Sequence, residues 1–429
     1  MTAARRGCDS SPPSGVEDEG GRGWRLNLAV LWTGNFLVTG SATMVIPFLP
    51  LYLEELGASY ARSGLWAGAI FAAHYLALFV CQPIWGRLAD RWGRKPMLLR
   101  AAFGMAAVMA TMGLAQTPLQ LLLLRLLNGA FAGFSSSATA IVATNTPRGK
   151  LGMAMGTLHS GNIAGTVMGP LLGGLLAGWI GLRGVFLITG ATMLVAALAV
   201  ALWVRDRERR AAAEAGGETA SVLEGLRALW RHREIPALLG VSMMVQFALT
   251  GALPFLPLFV RELHGDGADL ALYVGLVSAV TGISNMIFAP LLGRLSDRIG
   301  PQRILLLAML GACGIAALHA AVEAYWQLLA LRLLLGVCIG GLIPTVRTLI
   351  KRHVPHGMEA RAYSFDTSAV SLGSVLGPLL SGAAFGFVGL RGVFLLSAGL
   401  MLLCAGWTWR AVGASRRRRA EHAPREAGA

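Results

Sequence analysis

The sequence predicts an all-α polytopic membrane protein, with twelve transmembrane helices in two pseudo-symmetric six-helix bundles. Three observations carry that expectation: the composition, the number of long apolar runs, and a repeat that returns after 207 positions. Of 429 residues, 55% are hydrophobic and only 14% charged, with a mean hydropathy of +0.60. A soluble chain carries about 25% charged residues. Long apolar runs with so few charges read as membrane spans of roughly 20 residues each.

Taken in order, spans 1 to 12 are expected at 25–52, 63–85, 97–115, 119–143, 152–178, 184–204, 235–260, 270–293, 302–320, 324–350, 359–386 and 391–411. The longest gap, 205–234, is polar and Arg-rich and reads as a cytoplasmic linker. Its stretch SVLEGLRALWRHRE has helical spacing suited to a membrane surface. The chain is expected to divide into a disordered cytoplasmic tail (1–23), an N-terminal six-helix bundle (24–204), the linker (205–234), a C-terminal six-helix bundle (235–411) and a basic cytoplasmic tail (412–429). The opening MTAARRGCDSSPPSG is polar, without the apolar core of a signal peptide.

The net charge of +15 invites a nucleic-acid reading. Its placement argues otherwise. With the N-terminus inside, 30 of the 37 Lys and Arg fall in inner loops (86–100 among them), linker and tails. The outer loops hold Arg62, Arg183, Arg261 and Arg391. This positive-inside bias places both termini in the cytoplasm. RRRR at 416–419 then anchors topology on anionic lipid, and no nucleic-acid partner is expected. The five Cys show no CxxC pairing, so neither a metal site nor a disulfide framework is expected. No P-loop and no nucleophile–base spacing occurs, so no cofactor and no enzymatic activity are expected.

The repeat extends along the chain. PFLPL at 47–51 returns at 254–258, Glu55-Leu56 as Glu262-Leu263, and Arg125 and Gly129 as Arg332 and Gly336. Beyond span 4 the offset becomes 208. Gly169-Pro170 answers to Gly377-Pro378, and GLRGVFL at 181–187 returns unbroken at 389–395. Two such halves, related by an axis normal to the membrane, hold a site near the midplane and rock about it. A twelve-helix scaffold with an old duplication and no transport is the plainer alternative.

GRLADRWGRKP at 86–96 lies between spans 2 and 3, and most of it returns as GRLSDRIGPQR at 293–303. Gly86 is expected to let span 2 approach a neighbour closely. Gly93 permits a tight turn. Asp90 sits among Arg87, Arg91, Arg94 and Lys95. A basic inner loop with one acid would suffice for these residues. The motif, however, resembles the loop signature of the major facilitator superfamily. That resemblance covers residues 24–411 and implies the major facilitator fold. It implies that Gly86, Asp90, Arg91, Gly93 and Arg94 form a cytoplasmic gate, with Asp297 and Arg298 in the second copy. The second copy then departs from the signature with Pro301-Gln302-Arg303.

Span 5 carries GNIAGTVMGPLLGG. Gly161, Gly165, Gly169 and Gly173 share one face, with Gly174 beside them. Such a stripe admits a close-packed neighbour, and Pro170 invites a kink. The stretch resembles the antiporter signature of drug/proton exchangers. Span 4 carries LLRLLNGAFAG, with Arg125 well inside. An Arg at membrane depth costs roughly 2.5–3.5 kcal/mol on insertion scales, which favours function over a snorkelling side chain. Arg125 resembles the family's helix-4 arginine, which implies an influence on proton transfer.

Within the spans the ionisable groups are His74, Arg125, His159, Arg332, Arg347 and Asp366. Asp366 is the only acid well inside a span. A carboxyl in low dielectric can take up and release a proton, though a cap or ion pair at its helix end is the equal alternative. His74 is either a proton carrier or a packing residue. Arg125, Asp366 and His74 are therefore the proton-coupling candidates. Glu54, Glu55, His319 and Glu323 are expected as solvated rim residues. Three arginines against one acid predict a cavity that favours anionic or zwitterionic amphiphiles. Met44, Phe48, Met155, Met243, Gln246, Phe247, Phe255 and Arg347 are the candidates to line it, since Met and aromatic side chains adapt to many ligands. Each of the apolar ones also suits lipid or core.

The whole chain resembles the twelve-helix drug/proton antiporter branch, bacterial multidrug exporters linked to fosfomycin and bile-salt resistance. The resemblance implies a monomeric secondary active exporter in the bacterial cytoplasmic (inner) membrane. It would exchange a drug-like small molecule for protons by alternating access, with membrane lipid as its other partner. A proton-coupled metabolite uptake symporter is the alternative, and the span 5 signature argues against it. A non-transporting membrane sensor would want a folded cytoplasmic domain, for which neither tail is long enough.

Overall fold

The computed structural model describes residues 16–204, 234–267, 269–354 and 359–421, and no strand occurs among them. Lipid offers no partner for an open backbone, so apolar runs close their hydrogen bonds within helices. Span 1 is α1 (Val16–Val45), which passes through a 3-10 turn (Ile46–Phe48) into α2 (Leu49–Glu55). Span 2 is α3 (Tyr60–Trp92) and span 3 is α4 (Arg94–Met112). Span 4 is split into α5 (Pro118–Phe131) and α6 (Phe134–Asn145), and spans 5 and 6 form α7 (Leu151–Trp203). In the second half, span 7 is α8 (Glu234–Gly251) and α9 (Leu256–His264), joined by another 3-10 turn. Then come α10 (Leu270–Ile299), α11 (Pro301–His319), α12 (Tyr325–His353), and α13 (Glu359–Glu421) for spans 11 and 12.

Among the described residues nine helices are long and apolar enough to cross a membrane. Two of them, α7 and α13, each hold two spans bent at a glycine of positive φ, Gly181 (70°) and Gly389 (68°). These are the first residues of the two GLRGVFL copies, and only glycine takes that backbone freely. The span not among those nine is span 3, α4, whose 19 residues include Arg94, Lys95 and Arg100. Most of the linker and tails lies outside the described residues. Within them, α1 starts at Val16, inside the stretch expected to be disordered, and α13 continues through RRRR to Glu421.

The repeat reappears as paired contacts. Tyr52 packs on Phe186 at 4.9 Å, and their repeat mates Phe259 and Phe394 pack at 5.1 Å, both pairs tilted by 44°. Gly129 meets the His74 carbonyl, and its mate Gly336 meets that of Thr281, the mate of His74. One buried core belongs to the first half and a second to the second half. A third unites Phe48 with Phe255, Leu256 and Phe259.

The two halves meet at the end carrying the PFLPL copies and the glycine bends, here the far end. Gly68 on span 2 lies against the carbonyl of Pro378 on span 11, and Gly275 on span 8 against that of Pro170 on span 5. These two crossings are themselves repeat mates. A Cβ on either glycine would collide with carbonyl oxygen, so both crossings depend on hydrogen at that position. Glu54 and Arg261 form a two-pronged ion pair across the halves, with Arg261 Nη2 donating to Glu54 Oε1 at 3.0 Å. At the opposite end, which carries the basic loops, a Cβ at Gly86 or Gly293 would meet nothing within 4 Å. Gly86 is thus not a close-approach point in this conformation, contrary to expectation. The far end is closed, and at the basic end neither of these two glycines marks a contact between the halves.

Candidate functional site

The GRLADRWGRKP loop turns at Gly93 (φ 94°), and the second copy turns at its mate Gly300 (φ 95°). Arg94 reaches back to the Ala140 carbonyl of α6 (3.0 Å), and Lys95 to the Ala201 carbonyl at the end of span 6 (3.0 Å). The loop is therefore tied to spans 4 and 6 of its own half. Arg91, Asp297 and Arg298 are exposed. The side chain of Asp90 lies outside the described residues.

All four glycines of the span 5 stripe face span 1. Gly161 meets Trp32, Gly165 meets Phe36 and Gly40, Gly169 meets Gly40 and Thr43, and Gly173 meets Met44 and Phe48. Gly174 turns to span 8, against Ala271 and Leu272. The equivalent stripe on span 11 faces span 7, where Gly373 meets Met243 and Gln246 and Gly377 meets Phe247. Several cavity candidates are therefore packed. Phe48 and Phe255 are buried in the far-end core, because the PFLPL turns bring them together. Met44 is buried against Gly173, and Met155 packs on the first-half core. Met243, Gln246 and Phe247 stay half-buried at the seam of spans 7 and 11.

Arg125 is 3% exposed, and its guanidinium carbon lies 5.8 Å from the Phe71 ring. It neighbours His74 and Tyr75 of span 2. Among the described residues its Nε finds no hydrogen-bond partner. Arg332 is buried too, 6.0 Å from the Phe394 ring and beside His319. His319 is 1% exposed, stacked on Phe394 and bonded through Nδ1 to the Ile315 carbonyl (2.7 Å). It is thus no rim residue; its ring lies on the apolar face of α11. Glu54 is held by Arg261 rather than free in solvent. With Arg125 and Arg332 inside their own bundles, the expected surplus of cavity arginines shrinks to Arg347, whose side chain is 59% exposed.

Asp366 on span 11 is 2% exposed. Ser242 on span 7 donates a 2.5 Å hydrogen bond to Oδ1, and Arg347 Nε on span 10 lies 3.8 Å from Oδ2. Three spans therefore converge on one carboxyl. The expectation singled out Asp366 and Arg347 but missed Ser242, a common residue with no sequence signal of its own.

A cavity of about 630 Å³ opens at the basic end between α1 and the start of α7. Trp24, Arg25, Trp32, Lys150, Met153 and Thr157 are among its walls. Arg25 and Lys150 lie 5.6 and 5.7 Å from the Trp24 ring. Sequence reasoning passed over Trp24 and Lys150, although Trp beside basic residues at a span end is an interface signal.

Comparison with known proteins fits this architecture. Over 397 residues the chain is 40% identical to "Multidrug resistance protein MdtG" of Citrobacter koseri, covering 92% of this chain and 96% of that one. The Salmonella typhimurium protein of the same name is 39% identical over 397 residues, at 92% and 97% coverage. The crystal structure of the nucleoside transporter NupG superposes with a TM-score of 0.77 at 16% identity, covering 91% of this chain and 99% of that one. A bacterial homolog to the human lysosomal transporter Spinster, inward-facing and unoccupied, gives 0.73 at 20% identity, with 90% and 96% covered. The family model described as Major Facilitator Superfamily matches residues 31–318 and 270–428. Twelve spans, paired half-to-half crossings and these matches agree: the chain belongs to the Major Facilitator Superfamily of membrane transporters.

Proposed function

We propose that this chain exports drugs or other amphiphilic small molecules by proton antiport and alternating access, with its basic end and both termini in the cytoplasm. The MdtG relatives are named multidrug resistance proteins, which supports a drug as cargo. The observation that carries the coupling is Asp366, a carboxyl shared between Ser242 of span 7 and Arg347 of span 10. Ionised, it draws Arg347 toward span 11. Protonated, it loses that attraction and frees Arg347 for the cavity. A charge change on one atom pair thus alters how spans 7, 10 and 11 are held together, the kind of two-state element that coupling requires.

The closed far end supports a state that takes its cargo from the basic side. Drug enters at the mouth lined by Trp24, Arg25 and Lys150. The halves then rock, parting the Gly68–Pro378 and Gly275–Pro170 crossings and the Glu54–Arg261 pair. Cargo leaves, and Asp366 takes a proton from the outside through the opened cavity. On return it gives that proton to the cytoplasm. One chain holds the whole path, so a monomer suffices.

The test uses inverted vesicles with an acid interior. Adding a transported drug should raise the internal pH for wild type. Asp366→Asn should bind drug yet give no pH change. If no drug of a broad panel moves protons in wild type, the antiport reading falls.

A further inference from the structure

Span 4 is not one helix. α5 ends at Phe131, Ala132 is extended (ψ 163°), and Gly133 adopts φ 122° before α6 begins. A break at membrane depth leaves backbone carbonyls without helical partners, and in lipid these must be satisfied by protein. Here two neighbouring spans satisfy them. Trp85 Nε1 of span 2 donates to the Ala130 carbonyl at 2.7 Å. Arg100 of span 3 donates to the Ala130 and Ala132 carbonyls at 3.3 and 3.4 Å. The guanidinium itself lies over the Trp85 ring at 3.7 Å, a close cation–π contact. Phe131 packs directly on Gly104, one helical turn beyond Arg100.

The two pieces of span 4 share span 3 as a neighbour but differ in their other partners. α5 carries Arg125 and, through Gly129, lies against span 2. α6 is held by Arg94 of the GRLADRWGRKP loop through Ala140, and by Asn35 of span 1 through Ser135 (2.6 Å). The second half supplies an internal control. The mates of Trp85, Arg100, Ala132 and Gly133 are Leu292, Leu307, Ile339 and Gly340. There, with no such donors, α12 runs unbroken from Tyr325 to His353. The break and its brace occur together in one half and are absent together from the other.

We propose that span 4 hinges at Ala132–Gly133, and that Arg100, with Trp85, is the positioning residue that caps the broken backbone while α6 moves with the GRLADRWGRKP loop. α5 then keeps Arg125 fixed against span 2 as the basic end opens and closes. The proposal rests on the transport reading only for its purpose; the hinge itself is a matter of geometry.

The full chain, with its native cysteines replaced, is spin-labelled at Leu119 on α5 and Thr139 on α6. The distance between labels is read at acid and alkaline pH, with and without drug, and drug flux is measured in liposomes. A wild-type distance that shifts between conditions is expected. Arg100→Leu should abolish the shift and cut turnover about tenfold while KM stays within about twofold, the signature of a lost conformational step rather than of lost binding. Arg100→Lys, which keeps a donor, should recover turnover to within about threefold. Should Arg100→Leu fail to fold, Trp85→Leu and Gly133→Ala carry the same comparison. A wild-type distance that stays fixed, or wild-type turnover in both Arg100→Leu and Gly133→Ala, overturns the hinge. Absent drug flux with a moving label pair sinks export and leaves the hinge standing.

Discussion

Two of the three arginines placed inside spans by the sequence are buried with an aromatic ring beside them and an Nε that finds no acceptor among the described residues. Arg125 is nearly sealed, with its Nε unpartnered among the described residues. Burying a cation without a hydrogen-bonded counterion is expensive. Arg125→Met is therefore expected to stabilise the detergent-solubilised chain by about 1–2 kcal/mol while drug flux falls severalfold. Thermal unfolding beside a transport assay checks this, and a lower melting temperature would reveal a partner for the guanidinium. Asp366 behaves differently, because Ser242 and Arg347 both attend it. At this scale the sequence was informative where chemistry is rare. One acid among so many apolar residues stands out, but Ser242 and the burial of His319 do not. His319 ends α11 and reads as a rim residue; its inward direction depends on which face of that helix meets Phe394.

Helices were legible in number and order, because hydrophobic length is a one-dimensional property. Their interruptions were less so. Arg100 reads as the end of a basic loop, since a cation near a span end normally faces water. Only the fold shows it turned toward the carbonyls of span 4. The GxxxGP stretch of span 5 was legible as a packing stripe, and its four-residue spacing predicted a close neighbour. That Pro170 and Pro378 would receive Gly275 and Gly68 across the halves was not, because neither glycine belongs to a motif. The crossings make a sharp prediction. Gly275→Val adds bulk where a Cβ already collides, and overpacking of this kind costs about 1–3 kcal/mol. It should tilt the balance toward an open far end. A cysteine at Ala271 would then react faster with an impermeant thiol reagent from that side, by tenfold or more. Unchanged reactivity would mean that the crossing yields without separating the halves.

Across the whole molecule, the closed far end is secured by apolar turns together with the Glu54–Arg261 pair. Glu54 and Arg261 are partly buried, their side chains 24% and 22% exposed, and solvent screening still holds such a pair to about 1 kcal/mol. Glu54→Arg should accordingly change the ratio of closed to open states only severalfold, and the double change Glu54→Arg with Arg261→Glu should restore it. Distances between labels on the two halves at the far end report the ratio, and no recovery in the double variant would show that surroundings rather than charge hold the closure. Positions 54 and 261 stand 207 apart, the interval of the duplication, so they are the same position met twice. Such a pair can touch only where the pseudo-twofold axis passes between the bundles. A bundle that docked on a second copy of itself would bring glutamate to glutamate, or arginine to arginine, at that point. Having drifted to opposite signs there, the descendants of one ancestral unit now repel their own kind and recognise each other.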